Sequence, residues 1–344
     1  MSVKVNELFR QLEANSGPDV LAVVRGVSRI ADREGVQAYL VGGPVRDLLL
    51  GRQLADLDFM MLRTPSQPDD LERFLQSAVA HWRELLPDLP SPSGVRHFPQ
   101  YLTGKLLFER PLFGAVAAID FSQARAEVYP RSGAQPEVRP GDLAGDFRRR
   151  DFSVNAMAVS LVGEQAGDLV DQVGGCVDLE RGCLRILHPR SFEDDPARLL
   201  RAVRFAERFG FALELHTAER FAEAVRERFL TRLPRYRLFD EFRKLLEEPE
   251  SASMVLRLQR EGLLSQIHES LVVPEAFEEA VRRGLWNAVP DGALWPVWCT
   301  RFIMLCGVTD EQQFRQLLKT LELTRKLRDP LLAARQWWIQ QHAS

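Results

Sequence analysis

The pattern of the chain changes once, near residue 189, and that change limits the folds open to it. Before it, short apolar runs alternate with amphipathic helices; after it, helical patterns follow one another almost to the end. Alternation at the start implies a sheet with helices packed on it, and the later run implies an all-α assembly. The chain therefore reads as α+β. A head of mixed β-sheet with helices spans residues 1–189, a helical neck 190–250, and a helical body with a short tail 251–344. A length of 344 residues suits two or three domains.

Within the first part, Leu8, Leu12, Val20, Val24 and Ile30 recur at roughly helical spacing. The run QAYLVGG reads as a strand ending in a glycine turn. Pro44 can occupy the first turn of a helix that stops at Gly51, and LADLDFMML reads as a second strand. Residues 64–100 carry Pro65, Pro68, Pro87, Pro90 and Pro92 around one helical stretch, Leu71 to Leu86. LTGKLLFE and GAVAAIDFS then predict two strands, joined as a hairpin across ERPLFG.

Composition sets outer bounds. No run approaches the roughly 20 apolar residues of a membrane span, and MSVKVNELFRQLEANSG lacks a signal-type apolar stretch. Cys176, Cys183, Cys299 and Cys306 match no common zinc spacing and make no disulfide framework. The reading is a reduced, cytoplasmic protein with no membrane and no obligate protein partner evident. A formal net charge of −3 gives no global sign of nucleic-acid binding. Arginines nevertheless cluster at 148–150, at 198, 201, 204 and 208, and at 232, 235, 237 and 243. Such clusters can form local phosphate-binding surfaces or merely solvated helix faces. Trp286, Trp295, Trp298, Trp337 and Trp338 read as packing residues rather than base-stacking platforms.

The chemistry begins at Asp56 and Asp58. On a strand, residues two apart share a face, so D-L-D sets two carboxylates side by side with Leu57 in the core. Such a pair repels itself unless a cation joins it, and hard oxygen ligands suit Mg²⁺. The preceding VGGPVRDLLLG adds Gly42 and Gly43, which let backbone approach a ligand, and Arg46 as a bidentate phosphate donor. Together they describe a triphosphate cradle beside a metal. Asp120, after small apolar residues on a predicted inner strand, is either a third metal ligand or one half of a buried ion pair with an arginine.

GG-x-VRD-x-LLG followed by D-x-D resembles the first motif of the class II tRNA nucleotidyltransferases, the family of bacterial CCA-adding enzymes and poly(A) polymerases. GDFRRRDFSVNAMAV is similar to the family's D-x-x-RRDFT-x-NA motif, with Ser153 in the usual threonine position. VDQVGGCVDLERGCLRIL and DDPARLLRAVRFAERFGF resemble two later motifs, in the family's order, over about residues 38–212. The resemblance implies that Asp56, Asp58 and Asp120 bind the metals. Gly43 and Arg46 would hold the triphosphate. Arg149, Arg150, Asp151 and Asn155 would contact the nucleotide sugar, the last two serving alternatively as a structural clamp.

The resemblance further implies a protein template at Asp195-Pro196-Ala197-Arg198, in which carboxylate and guanidinium pair with the Watson–Crick edge of C or A. Asp194 replaces the family's glutamate there. Asp195 can also cap the helix that begins near Pro196. Arg201 and Arg204 would continue as ribose-triphosphate contacts or lie on a solvated face. The implied activity is addition of C and/or A from CTP and ATP to the tRNA 3′ end, with tRNA as partner and pyrophosphate released. CC-adding, A-adding and poly(A)-polymerase activities share these motifs, and a small-molecule nucleotidyltransferase or an inactive tRNA-binding protein are the readings from other classes.

Overall fold

The computed structural model describes residues 5–62, 70–306 and 310–342, so Pro65 and Pro68 lie outside the described residues. Among the described residues, no helix is long and apolar enough to cross a membrane. The chain divides into two compact units. The first takes Met1–Val128, Pro136–Arg181 and Arg185–His188; the second takes Tyr129–Gln135, Gly182–Leu184 and Pro189–Ser344. The sequence had placed 1–189 in one head, whereas the short segments 129–135 and 182–184 pack with the helical unit.

The first unit opens with α1 (Val5–Ser16) and α2 (Pro18–Glu34). Helix α2 turns Val20, Val23, Val24, Val27 and Ile30 inward and stops at Gly35, whose left-handed φ of 66° suits glycine. Then come β1 (Ala38–Val41), α3 (Gly43–Leu49), β2 (Asp58–Met61), α4 (Asp70–Leu85), β3 (Gly94–Phe98), β4 (Thr103–Leu107) and β5 (Ala118–Gln123). The unit is completed by the hairpin β6 (Arg125–Val128) and β7 (Glu137–Pro140), α5 (Leu143–Arg148), β8 (Ala158–Ser160), β9 (Leu169–Val170) and α6 (Gly175–Glu180).

Seven strands form one mixed sheet in the order β3-β4-β5-β2-β1-β8-β9. Within this sheet, among the described residues, only β2 and β5 pair in parallel. The expected hairpin is β4–β5. Strand β3 was not expected; Pro90, Pro92 and Pro99 flank it, so no proline interrupts its ladder, and it lies at the sheet edge where prolines are tolerated. Strand β1 is buried at every position, as a central strand must be. Strand β5 alternates, burying Ile119, Phe121 and Gln123. Phe121 stacks on Phe59 at 5.4 Å and meets Phe74 of α4 at 5.5 Å. The same alternation turns Asp120 to the opposite face.

The second unit contains the short parallel pair β10 (Cys183–Leu184) and β11 (Ala212–Leu213). Its helices are α7 (Ser191–Asp194), α8 (Ala197–Phe209), α9 (Leu215–Arg226), α10 (Arg235–Glu247), α11 (Ser251–Arg260), α12 (Leu264–Ile267), α13 (Phe277–Arg282), α14 (Val297–Cys306), α15 (Glu311–Thr320) and α16 (Arg325–His342). Phe239 and Phe242 of α10 meet Phe302 of α14 edge-on. Trp286 and Trp298 are buried in this core, and Trp295 packs on Trp337 at 6.2 Å, so these tryptophans serve packing. Buried Arg301 is a fully engaged structural arginine: Nε and Nη2 donate to Asn287 Oδ1, and Nη1 donates to the carbonyls of Leu246 and Glu248.

Candidate active site

Strand β1 ends in Gly42, which has φ 75°. A Cβ there would lie 2.9 Å from Arg150 Nη1, so glycine is required both by the backbone and by the arginine lying against it. Arg46, one turn into α3, is buried and engaged within the fold. Its Nε and Nη2 donate to the two oxygens of Asp47 at 2.9 Å, and Nη1 donates to Asn155 Oδ1 at 2.6 Å. Asn155 Nδ2 in turn donates to Asp151 Oδ1 at 2.9 Å, which also accepts the Phe152 N–H. A buried chain Asp47–Arg46–Asn155–Asp151 thus ties α3 to the 3₁₀ turn Ser153–Asn155. The clamp reading of Asp151 and Asn155 describes what they do in this structure, and Arg46 belongs to the same clamp.

The carboxylates come from neighbouring strands. Asp58 opens β2, and its register partner on β5 is Asp120. Sequence put Asp56 on the strand too; it lies just before it, exposed, because ladder pairing starts at Leu57, whose carbonyl accepts the Asp120 N–H at 3.1 Å. The Asp58 carboxyl is pushed up to about 7, first by burial and then by repulsion from Asp56 and Asp120, with Arg150 and Lys105 pulling the other way. Asp120 is not deeply buried and its partner is not an arginine: Lys105 Nζ of β4 lies 2.6 Å from Oδ1, with both side chains 42% exposed. Among the described residues no group of three metal-ligating side chains is drawn together at ligand geometry. The donor set still suits a hard divalent cation. Three carboxylates repel one another across adjacent strands, and a cation between them would relieve the repulsion felt most at Asp58.

Arg149 and Arg150 share one anchor that the sequence reading passed over. Asp146 is fully buried; Arg149 donates from Nε and Nη2 to Oδ2, and Arg150 donates from Nε and Nη2 to Oδ1. Burial alone would raise its pKa, but the two guanidinium groups outweigh it and hold the carboxyl below the usual range. Arg150 Nη1 also donates to Asn155 O at 3.2 Å, which leaves this arginine between the glycine turn and the carboxylates. Asp146 is the leading aspartate of its motif, three and four residues before the arginines, and that helical spacing was the available signal. Asp171 is a second omission: its carboxylate accepts from the backbone N–H groups of Val173, Gly174, Gly175 and Cys176. Asp178 of α6 then accepts from Ser153 Oγ and from Arg185, bracing the turn that carries Asn155.

In the second unit, Asp195 Oδ1 accepts from the Ala197 N–H at 3.2 Å and from Arg237 Nη2 at 3.0 Å. The capping role is therefore present, and it leaves Oδ2 outside both contacts. Arg198 is buried and donates to Ser191 Oγ at 2.5 Å. Arg201 and Arg204 do not form a solvated face. Arg201 and Arg204 pair with Glu241, and Arg204 and Arg208 pair with Glu248, which fastens α8 to α10.

The model for "Poly A polymerase head domain" matches residues 38–85 and 101–185, and "Probable RNA and SrmB- binding site of polymerase A" matches 210–273. A CC-adding tRNA nucleotidyltransferase of Deinococcus radiodurans is 37% identical over 293 residues, covering 82% of this chain and 72% of the relative. An A-adding tRNA nucleotidyltransferase of Aquifex aeolicus is 36% identical over 234 residues, covering 68% of this chain. The chain spans only 26% to 42% of the length of the A-adding relatives it matches. A solved CCA-adding enzyme, in an apo form, superposes with TM-score 0.74 at 28% identity, over 93% of this chain and 72% of that one.

Proposed function

Because the chain belongs to the poly(A) polymerase and tRNA nucleotidyltransferase family, we propose that it adds C and/or A from CTP and ATP to the 3′ end of tRNA. The observation that carries this reading is the register of Asp58 against Asp120 with Asp56 beside them, next to the Gly42–Arg150 contact. Asp56, Asp58 and Asp120 would hold Mg²⁺, which when bound supplies charge neutralisation for the attacking 3′-hydroxyl and the departing pyrophosphate. Gly42 and Gly43 keep the turn open for the triphosphate, and Arg149 and Arg150 place positive charge beside it. Arg46, Asp151 and Asn155 act by keeping that turn and those arginines in place.

Base choice belongs to Asp195 and Arg198. The Asp195 oxygen not used by the cap accepts from the amino group of cytosine or adenine, while Arg198 donates to the ring nitrogen. Uracil or guanine would set a carbonyl oxygen against the carboxylate and leave groups unpaired, at about 1–3 kcal/mol each. Arg201 and Arg204, through Glu241 and Glu248, hold the template helix in place. The neck at 190–250 and the body and tail at 251–344 bind the tRNA.

The decisive assay offers tRNA ending at the discriminator base, at -C and at -CC, with each labelled nucleotide separately. Incorporation of C on the first two and A on the third is the expected result. Arrest after two C additions would identify a CC-adding enzyme, the activity for which the Deinococcus relative is named. Addition of A alone, or of long A tracts, would identify the remaining activities of the family. Transfer to a small molecule and not to tRNA would overturn the proposal. Replacing Asp195 or Arg198 by Ala should relax rejection of UTP and GTP roughly ten- to a hundredfold. A variant that melts earlier yet keeps the wild-type nucleotide ratio would leave Asp195 a helix cap only.

A further inference from the structure

Arg237 on α10 is the cation that meets Asp195, and its bonding differs from that of a structural arginine in this protein. Arg301 engages every nitrogen of its guanidinium with protein acceptors. Arg237 instead gives Nη2 to Asp195 Oδ1 at 3.0 Å and leaves Nη1 buried without a hydrogen-bond partner. What its one bond does is geometric. The Ala197 N–H already reaches Asp195 Oδ1, and with that single bond the carboxylate could swivel about the N–H···O axis. A second donor on the same oxygen, from a different direction, fixes the plane of the group and with it the direction of Oδ2.

We propose that Arg237 is a specificity-positioning residue: by holding Asp195 Oδ1 it aims Oδ2, and so sets which incoming bases are accepted. The inference rests on the template reading of Asp195 given above. Helix α10 is suited to the task because it is fastened to α8 at two further places, Glu241 to Arg201 and Arg204, and Glu248 to Arg204 and Arg208. Positions 237 and 241 lie one turn apart on one side of α10, and Glu248 follows directly after its last residue, so the ion pair with Asp195 is the first rung of a ladder that continues to the end of the helix.

The experiment compares Arg237→Ala, Arg237→Gln, Arg237→Lys and Asp195→Ala in the full chain. Each variant receives all four nucleotides on tRNA ending at -C and at -CC, alongside a melting curve. The readout is the ratio of incorporated bases within one preparation, which a fall in folded fraction does not move. Arg237→Ala should raise misincorporation of U and G by about tenfold relative to C and A. Arg237→Lys and Arg237→Gln, which can still donate to Oδ1, should recover part of the discrimination. If Arg237→Ala does not fold, the Gln variant carries the test, with a smaller shift in the same direction. Unchanged ratios in the Arg237 variants, beside a changed ratio in Asp195→Ala, would overturn the role of Arg237 and leave the template standing. Unchanged ratios in Asp195→Ala as well would remove the template and this inference with it.

Discussion

Lys105 and Asp120 face each other across β4 and β5 as register partners, and Lys105 Nζ lies 2.6 Å from Asp120 Oδ1. The third carboxylate of the cluster is thus met by a cation from its own sheet, while burial and the charges of Asp56 and Asp120 together weigh on Asp58. The charge of the cluster is unevenly balanced, and its excess falls on Asp58.

Asp58→Asn is expected to abolish transfer and yet raise the melting temperature in the absence of metal. The folded protein holds the Asp58 carboxyl near 7, above the ordinary value of about 4, so ionising it costs stability as pH rises through that window. The gain from Asn should be about 1–2 kcal/mol at pH 8, reduced from the full shift by solvent screening, and should vanish near pH 4. Mg²⁺ should stabilise the wild type more at pH 8 than at pH 5.5. Thermal melts of both proteins with and without metal check each point; an Asn variant less stable than wild type at pH 8 in chelator would contradict the repulsion.

Asp146→Ala removes the shared anchor of Arg149 and Arg150 and leaves two guanidinium groups without their acceptor. A loss of about 3–5 kcal/mol is expected, seen in denaturant melts. The wild-type carboxyl lies below its unfolded value, so its contribution is complete above the unfolded pKa and disappears as pH falls through the folded one. The variant's deficit should accordingly be full at pH 7 and shrink below about pH 4.

Gly42→Ala and Gly51→Ala separate backbone strain from contact. Both positions have positive φ, 75° and 67°, but a Cβ meets Arg150 only at Gly42 and nothing within 4 Å at Gly51. Each should cost about 1–2 kcal/mol in stability. Only Gly42→Ala should also lower the rate of transfer, by at least about tenfold, since a displaced Arg150 no longer holds its geometry. Equal activity in the two variants would show that the contact is incidental.

Binding of tRNA should weaken steeply between low and physiological salt, because arginine–phosphate contacts release counterions. Filter binding or anisotropy across a salt series measures the slope. A constant indifferent to salt would count against tRNA as the substrate.

Local features of this site were legible in the sequence. The glycine turn and the closeness of Asp56 to Asp58 depend on neighbours within a few residues, and pattern captures such things; the exposure of Asp120 and its pairing with Lys105 were not read, because its strand looked wholly interior. Partners far along the chain were not. Arg46 looks like a phosphate donor until Asn155, more than a hundred positions later, takes its Nη1. Arg201 and Arg204 look like a ligand-binding stripe until α10 supplies Glu241 and Glu248. Strand β3 was hidden because its flanking prolines resemble loop punctuation when the sheet edge they border is unknown. Asp146 was readable as the head of its motif, but its rank as the anchor follows from burial, which composition does not announce.

The parallel pairing of β2 with β5 has a kinetic consequence. Positions 58 and 120 meet only after α4, β3 and β4 have been laid down between them, so the carboxylate cluster is a contact of long sequence separation. Closing so large a loop pays its entropy before the pairing returns any energy. During synthesis, an emerging chain that already displays the glycine turn and Asp58 would still lack the strand that completes the cluster. Catalytic competence would then arise late and together with the closed sheet, and partly made chains would be inert toward nucleotides.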